Sequence, residues 1–135
     1  MEVIEMLSDA EASATIAVAD VSRAKSFYRD TLGLSIGEER PTGLRFECGG
    51  GTFLIVYPSP SAGTARSTVA SFQVDDLDAT MADLRRRGVK FENYDSPGLK
   101  TKDGLAALGP NRVRVCWFKD PDGNILSIVA RTLAS

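Results

Sequence analysis

Several groups of side chains in this sequence have the reach for chemistry. Asp75-Asp76 places two carboxylates together, and Arg85-Arg86-Arg87 places three cations together. Gly49-Gly50-Gly51 has the composition of a phosphate loop, Ser13 and Ser127 carry hydroxyls, and Cys48 and Cys116 carry thiols. Each has a plainer explanation. Asp76 sits where a helix opens, so a cap and a first-turn acid account for the carboxylates. The three arginines precede Gly88 and complement the negative end of the same helix. No Gly-Lys-Ser/Thr and no helix follow the three glycines, which read as a hairpin turn. The cysteines lack Cys-x-x-Cys spacing and read as two reduced thiols. The sequence has no histidine. That removes Ser-His and Cys-His nucleophile pairs, two-His-one-carboxylate iron sites and His-ligated zinc. Without an imidazole, Ser13 and Ser127 lack an activating base and read as pocket hydroxyls.

The whole chain sets the same limits. At 135 residues, it has the length of one domain, 1–135. With 16 basic and 18 acidic residues the net charge is -2, so no broad positive field is available to hold nucleic acid or an anionic membrane. No apolar run is long enough to span a bilayer. The segment Met1–Ala10 lacks both a basic start and a long apolar stretch, so no signal peptide is expected and the expected location is cytoplasmic.

The elements that must position these side chains occur twice. Residues 14–20 alternate as a strand, and Asp20 takes the place of an N-cap. Val21, Ala24, Phe27, Tyr28 and Leu32 then recur at helical spacing up to Gly33. After a shift of 56 residues, Ala70, Phe72 and Val74 repeat the strand and Asp76 the cap. Leu77, Met81 and Leu84 repeat the apolar stripe, and Gly88 the stop. Leu34 and Ile36 resume strand period in the first half, and Val89 and Phe91 are expected to do so in the second. Further strands are expected around Leu44–Cys48, Thr52–Tyr57, Val113–Phe118 and Ile125–Ala130. The order is βαβββ twice, an α+β chain. Module one covers about 13–58, a small-residue linker about 59–67, and module two about 68–130. Asp95–Arg112, rich in Gly and Pro, is expected to be a lid or binding loop.

Alternation also assigns faces. Helices are expected to cover Ile16, Val18, Phe72 and Val74. Ser13, Thr15, Ala17, Val69, Ser71 and Gln73 are then left facing a concavity. Trp117, the single tryptophan, joins that concavity if Val113/Val115/Trp117 point inward. It leaves it if Arg114/Cys116/Phe118 do, and both sets fit the pattern. Small apolar and hydroxyl-bearing linings suit an uncharged or weakly polar organic molecule.

Two stretches carry a resemblance. Val18-Ala-Asp-Val-Ser-Arg-Ala-Lys-Ser-Phe-Tyr-Arg-Asp-Thr-Leu-Gly-Leu34 resembles the opening signature of the vicinal oxygen chelate superfamily. That superfamily holds glyoxalase I, the bleomycin-resistance proteins and the extradiol dioxygenases. Phe118-Lys-Asp-Pro-Asp-Gly-Asn-Ile-Leu126 resembles its closing signature, and Tyr94–Gly104 resembles a little-characterised bacterial branch. The resemblance covers about residues 13–130. It implies two βαβββ modules forming an incomplete barrel around a cavity, commonly within a homodimer. It also implies four metal-ligand positions, which fall at Ser13, near Leu54, at Val69 and at Ser127. None is His, Glu or Gln, and a two-residue shift at Leu54 reaches only Thr52 or Val56. Serine hydroxyls and aliphatic chains are poor donors for a transition metal. The expectation is therefore a metal-independent binder of a small organic molecule, without cofactor. Its cavity is expected to be lined by Ser13, Thr15, Leu54, Val56, Val69, Ser71, Trp117 and Ser127. The alternatives are a cofactor-free isomerase or lyase acting on a carbonyl or aromatic metabolite, and a purely structural dimer module.

Overall fold

The computed structural model describes residues 5–131. The first module runs β1 (Ala14–Val18), α1 (Val21–Lys25), β2 (Ser35–Arg40), β3 (Gly43–Glu47) and β4 (Phe53–Pro58). Its sheet has the order β1-β4-β3-β2, with β1 parallel to β4 and the other pairs antiparallel. The second module contains β5 (Thr68–Val74), α2 (Leu77–Arg86), β6 (Asp95–Ser96), β7 (Leu99–Lys100), β8 (Leu105–Leu108), β9 (Val113–Lys119) and β10 (Ile125–Ala130). Its main sheet has the order β5-β10-β9-β8, the same permutation, and again one parallel pair. Two four-stranded sheets with helices on one side make an α+β fold without a closed barrel. No helix among the described residues is long and apolar enough to cross a membrane.

The caps act as the sequence predicts. Asp20 accepts hydrogen bonds from the Ser22 and Arg23 N–H groups at 2.9 and 3.2 Å, and Asp76 accepts from Ala79 at 3.0 Å. These satisfy backbone donors that a first helical turn otherwise leaves bare. The first helix is not one regular α-helix to Leu32. After α1 the chain widens into a π-type turn over Ser26–Thr31, where the Leu32 N–H bonds the Phe27 carbonyl.

Two expectations in the second module are corrected. Val89 and Phe91 form no strand: Phe91 makes a single bridge to Phe118, and Val89 is buried in the core. The edge of β9 is occupied instead by β8, drawn from the stretch expected to be a loop. The apolar run Leu105–Leu108 pairs with β9 over four residues, from Leu105↔Cys116 to Leu108↔Val113. The rest of that stretch includes the short β6–β7 hairpin. An apolar run satisfies an open sheet edge better than a segment between Gly88 and Asn93 that bridges it at one residue.

The core lies between the sheets and the helices and joins both modules. Ile16, Tyr28, Phe46 and Val56 from the first share one buried cluster with Leu77, Met81, Phe118 and Leu126 from the second. Phe27 stacks edge-on against Tyr28 at 5.3 Å and reaches Phe118 at 6.5 Å.

Candidate functional site

The turn between β9 and β10 fixes one end of the molecule. Buried Asp120 accepts the N–H groups of Asp122 (3.0 Å) and Asn124 (2.9 Å), closing Asp120-Pro121-Asp122-Gly123-Asn124 on itself. Asn124 then donates its amide to the Ala17 carbonyl at 2.8 Å, and Asp122 accepts the Ala19 N–H at 3.2 Å and Arg23 at 2.6 Å. These side chains fill the space at the C-terminal end of β1. The topological counterpart in the first module is the β3–β4 turn, Gly49-Gly50-Gly51. It carries no side chains, and the matching space beside the C-terminal end of β5 stays open.

That space is a cleft of about 670 Å³ between the β1–β4 edge and β5, with Ser13, Phe53, Leu54, Ser71 and Gln73 on its walls and Cys48 at the glycine turn. Strand register explains the composition. Ala14 pairs with Leu54 in parallel, so Ser13 and Phe53 fall next to each other on the opposite face. Across the second sheet, Ser71 pairs with Ser127 and Ser127 with Trp117, so all three share one face. The Ser127 hydroxyl donates to the Ser71 hydroxyl at 2.8 Å.

Of the residues expected to line a cavity, Ser13, Leu54 and Ser71 border this cleft, and Ser127 lies behind Ser71. Thr15 is exposed on the Ser13 face and Val69 half-buried on the Ser71 face, neither bordering the cleft. Trp117 lies further along the same face, on β9. The open question of its orientation is settled there: Cys116 and Phe118 enter the core, whereas Trp117 stands half-exposed with Tyr94 edge-on at 5.5 Å. Val56 is a correction. It is fully buried, because a residue two positions from Leu54 shares its core-facing side and lies deeper under the helices.

The face also includes residues the sequence reading passed over. Phe53 is covered by the Arg45 guanidinium, 3.7 Å above its ring, while Arg45 bonds Glu47 at 2.9 Å. The cation offsets the negative face of the ring and leaves the other side available for contact. The sequence signal was the register: one residue separates Leu54 from Phe53, and alternation within β4 alone could not say which points inward. Phe72 and Val74, expected under the helices, are half-buried. With Leu32, Leu34 and Leu84 they border a separate apolar cleft of about 390 Å³ on the helix side.

The donor set does not fit a divalent metal. The addresses implied by the resemblance hold Ser13, Leu54, Val69 and Ser127, and the Ser127 hydroxyl is bonded to Ser71. Among the described residues no three His, Cys, Asp or Glu side chains gather to hold an ion. On the first sheet, the carboxylates Glu47 and Glu38 are each bonded to arginine, at 2.9 and 2.7 Å.

Comparison with known proteins agrees with this architecture. The chain is 30% identical over 125 residues to the uncharacterized protein YraH of Bacillus subtilis, covering 82% of this chain and 90% of that one. Among solved structures it is similar to TnmS3, an antibiotic-binding protein from Streptomyces sp. CB03234. That pair shares 25% identity and a TM-score of 0.64, over 91% of this chain and 98% of the other. A glyoxalase family protein from Bacillus anthracis superposes with a TM-score of 0.72 at 16% identity, over 98% of this chain and 100% of that one, a likeness of fold. A sequence profile of the family matches residues 12–128, and the chain belongs to the Glyoxalase/Bleomycin resistance protein/Dioxygenase superfamily.

Proposed function

We propose that this protein binds a small, uncharged or weakly polar organic molecule without a metal. The binding surface is the face shared by Ser13, Phe53, Ser71 and Trp117. The observation that carries the reading is the Ser127–Ser71 hydrogen bond of 2.8 Å at a metal-ligand address. There the scaffold keeps a neutral hydroxyl pair beside aromatic walls, a lining that orients an organic ligand by contact and one or two hydrogen bonds. The similarity to an antibiotic-binding protein supports the same class of activity. The face is open on one side, so a second copy closing over Trp117 as a homodimer completes the enclosure.

Trp117 is the only tryptophan, so its fluorescence reports this face alone. Titration of the intact protein with neutral aromatic metabolites and antibiotics is expected to give saturable quenching. Trp117→Ala weakens binding about tenfold or more when measured by equilibrium dialysis. Sedimentation equilibrium is expected to show a dimer. A broad panel without a saturable ligand, or a stoichiometric transition metal in the purified protein, refutes the reading.

A further inference from the structure

A cleft of about 1050 Å³ lies away from the Trp117 face. It sits between α2, the β6–β7 hairpin and the free edge of β8. Its charge is unlike that of the whole chain, which has more acids than bases. Arg85, Lys100, Lys102, Arg112 and Arg114 border it, against only Asp78 and Asp103. Arg114 is held by Asp78 at 2.6 Å, and Arg85 donates to the Asp103 carbonyl at 2.9 Å. Lys100, Lys102 and Arg112 have no carboxylate partner among the described residues. Three unpaired cations from two separate segments therefore converge on one concavity.

The floor is of a different character. Leu99 and Leu105 supply apolar surface under that cationic rim, with Met81 closing the bottom from α2 and Leu108 at the border. The sheet edge adds a directed donor. Leu105 exchanges both backbone hydrogen bonds with Lys102, on the side away from β9. Strand alternation turns the N–H of Ala107, two residues on, to that same side.

We propose that this cleft is a second binding site, for a small organic anion with a flat apolar body and a carboxylate or phosphate head. The body lies on the Leu99–Leu105 floor, and the head meets Lys100, Lys102 and Arg112. Apolar surface beside a cationic rim lowers the local dielectric and strengthens the attraction for an anion relative to open water. The proposal is independent of the Trp117-face reading, and different substitutions test the two.

The test uses the full chain with 8-anilinonaphthalene-1-sulfonate, an aromatic anion, and its neutral relative N-phenyl-1-naphthylamine. The sulfonate is expected to bind saturably, to weaken with added salt, and to be displaced by benzoate or phenyl phosphate. Which competitor is stronger identifies the head group. The K100E/R112E variant is expected to lose tenfold or more in sulfonate affinity and less than threefold for the neutral probe. The milder K102Q/R112Q variant, checked for unchanged melting temperature, is expected to lose threefold or more. Sulfonate binding that is insensitive to both variants overturns the proposal, as does binding lost in Trp117→Ala. Displacement of the probe by a single-stranded oligonucleotide, but by neither small anion, also overturns it, assigning the cleft to nucleic acid.

Discussion

Replacing Tyr28 by Phe removes one oxygen from the contact that joins the modules. The Tyr28 hydroxyl donates to Asp120 Oδ2 at 2.8 Å, and both residues are buried. The ring itself stays, with its edge contact to Phe27. Asp120 Oδ2 keeps the Asn124 amide at 2.8 Å, so it is not orphaned. Hydrogen bonds to charged groups contribute about 1.5–3 kcal/mol, and the remaining partner places this one near about 2 kcal/mol. For 135 residues, the unfolding entropy is about 280 cal/mol/K, so 1 kcal/mol corresponds to about 3.5 °C. Tyr28→Phe is therefore expected to lower the melting temperature by about 7 °C, with the urea midpoint falling at unchanged m-value. Asp120→Ala removes the acceptor for Tyr28, Asp122 and Asn124 together, and is expected to cost at least twice as much. Scanning calorimetry and urea titration read both. A Tyr28→Phe shift under about 1 °C, or an Asp120→Ala variant no less stable than Tyr28→Phe, refutes the account of the turn as an inter-module latch.

The same buried groups set an alkaline limit. Burial first, then the Asp120 carboxylate, raises the Tyr28 hydroxyl above the ordinary tyrosine range, and burial pushes the Cys116 thiol up to about 11. Both are raised in the folded state, so their contribution is intact below the unfolded values, near ~8.5 for Cys and ~10 for Tyr, and is lost as pH climbs past them. The urea midpoint is expected to fall from about pH 9 and more steeply above about pH 10, and Tyr28→Phe is expected to lose the second limb; a midpoint flat to about pH 10.5 contradicts both assignments. Thiol titration of the native protein at pH 8 is expected to modify Cys48, half-buried at the glycine turn, and to reach Cys116 only in denaturant. Two rapidly reacting thiols without denaturant run against the buried placement. Gly63 has a φ of +70°, and a Cβ there runs into the Asp122 carbonyl oxygen. Gly63→Ala is expected to cost about 2 kcal/mol or more, read as a melting shift of about 7 °C.

Local signals carried much of the fold. Asp20 and Asp76 are caps because their side chains bond the N–H groups that open each helix, an interaction within three residues. Ile16 and Val18 are core residues because period-two alternation fixes their face. The site was legible in part. Alternation alone put Ser13 and Ser71 on the face that borders the cleft, but the choice between Leu54 and Phe53 depended on the pairing of β1 with β4. Trp117 was undecided for a related reason: both faces of β9 are apolar enough, and its pairing to Ser127 breaks the tie. The β8 strand was hidden among glycines and prolines, since four apolar residues become a strand only when an open edge of β9 lies beside them.

The resemblance to the family, not residue spacing, supplied the metal addresses at Ser13 and Val69. The sequence by itself determined the strand, cap, helix and glycine stop that occur twice. Residue type, period and short-range hydrogen bonding fix those, whatever the rest of the chain does. Tertiary structure decided where open space remains. The Asp122 and Asn124 side chains fill one end of the module junction, and three glycines leave the other end open. It also gathered Lys100, Lys102 and Arg112 on one cleft, from segments whose spacing carries no such signal. Space and convergent charge belong to pairs of elements far apart in the chain, so they exist only once the sheets have been brought together.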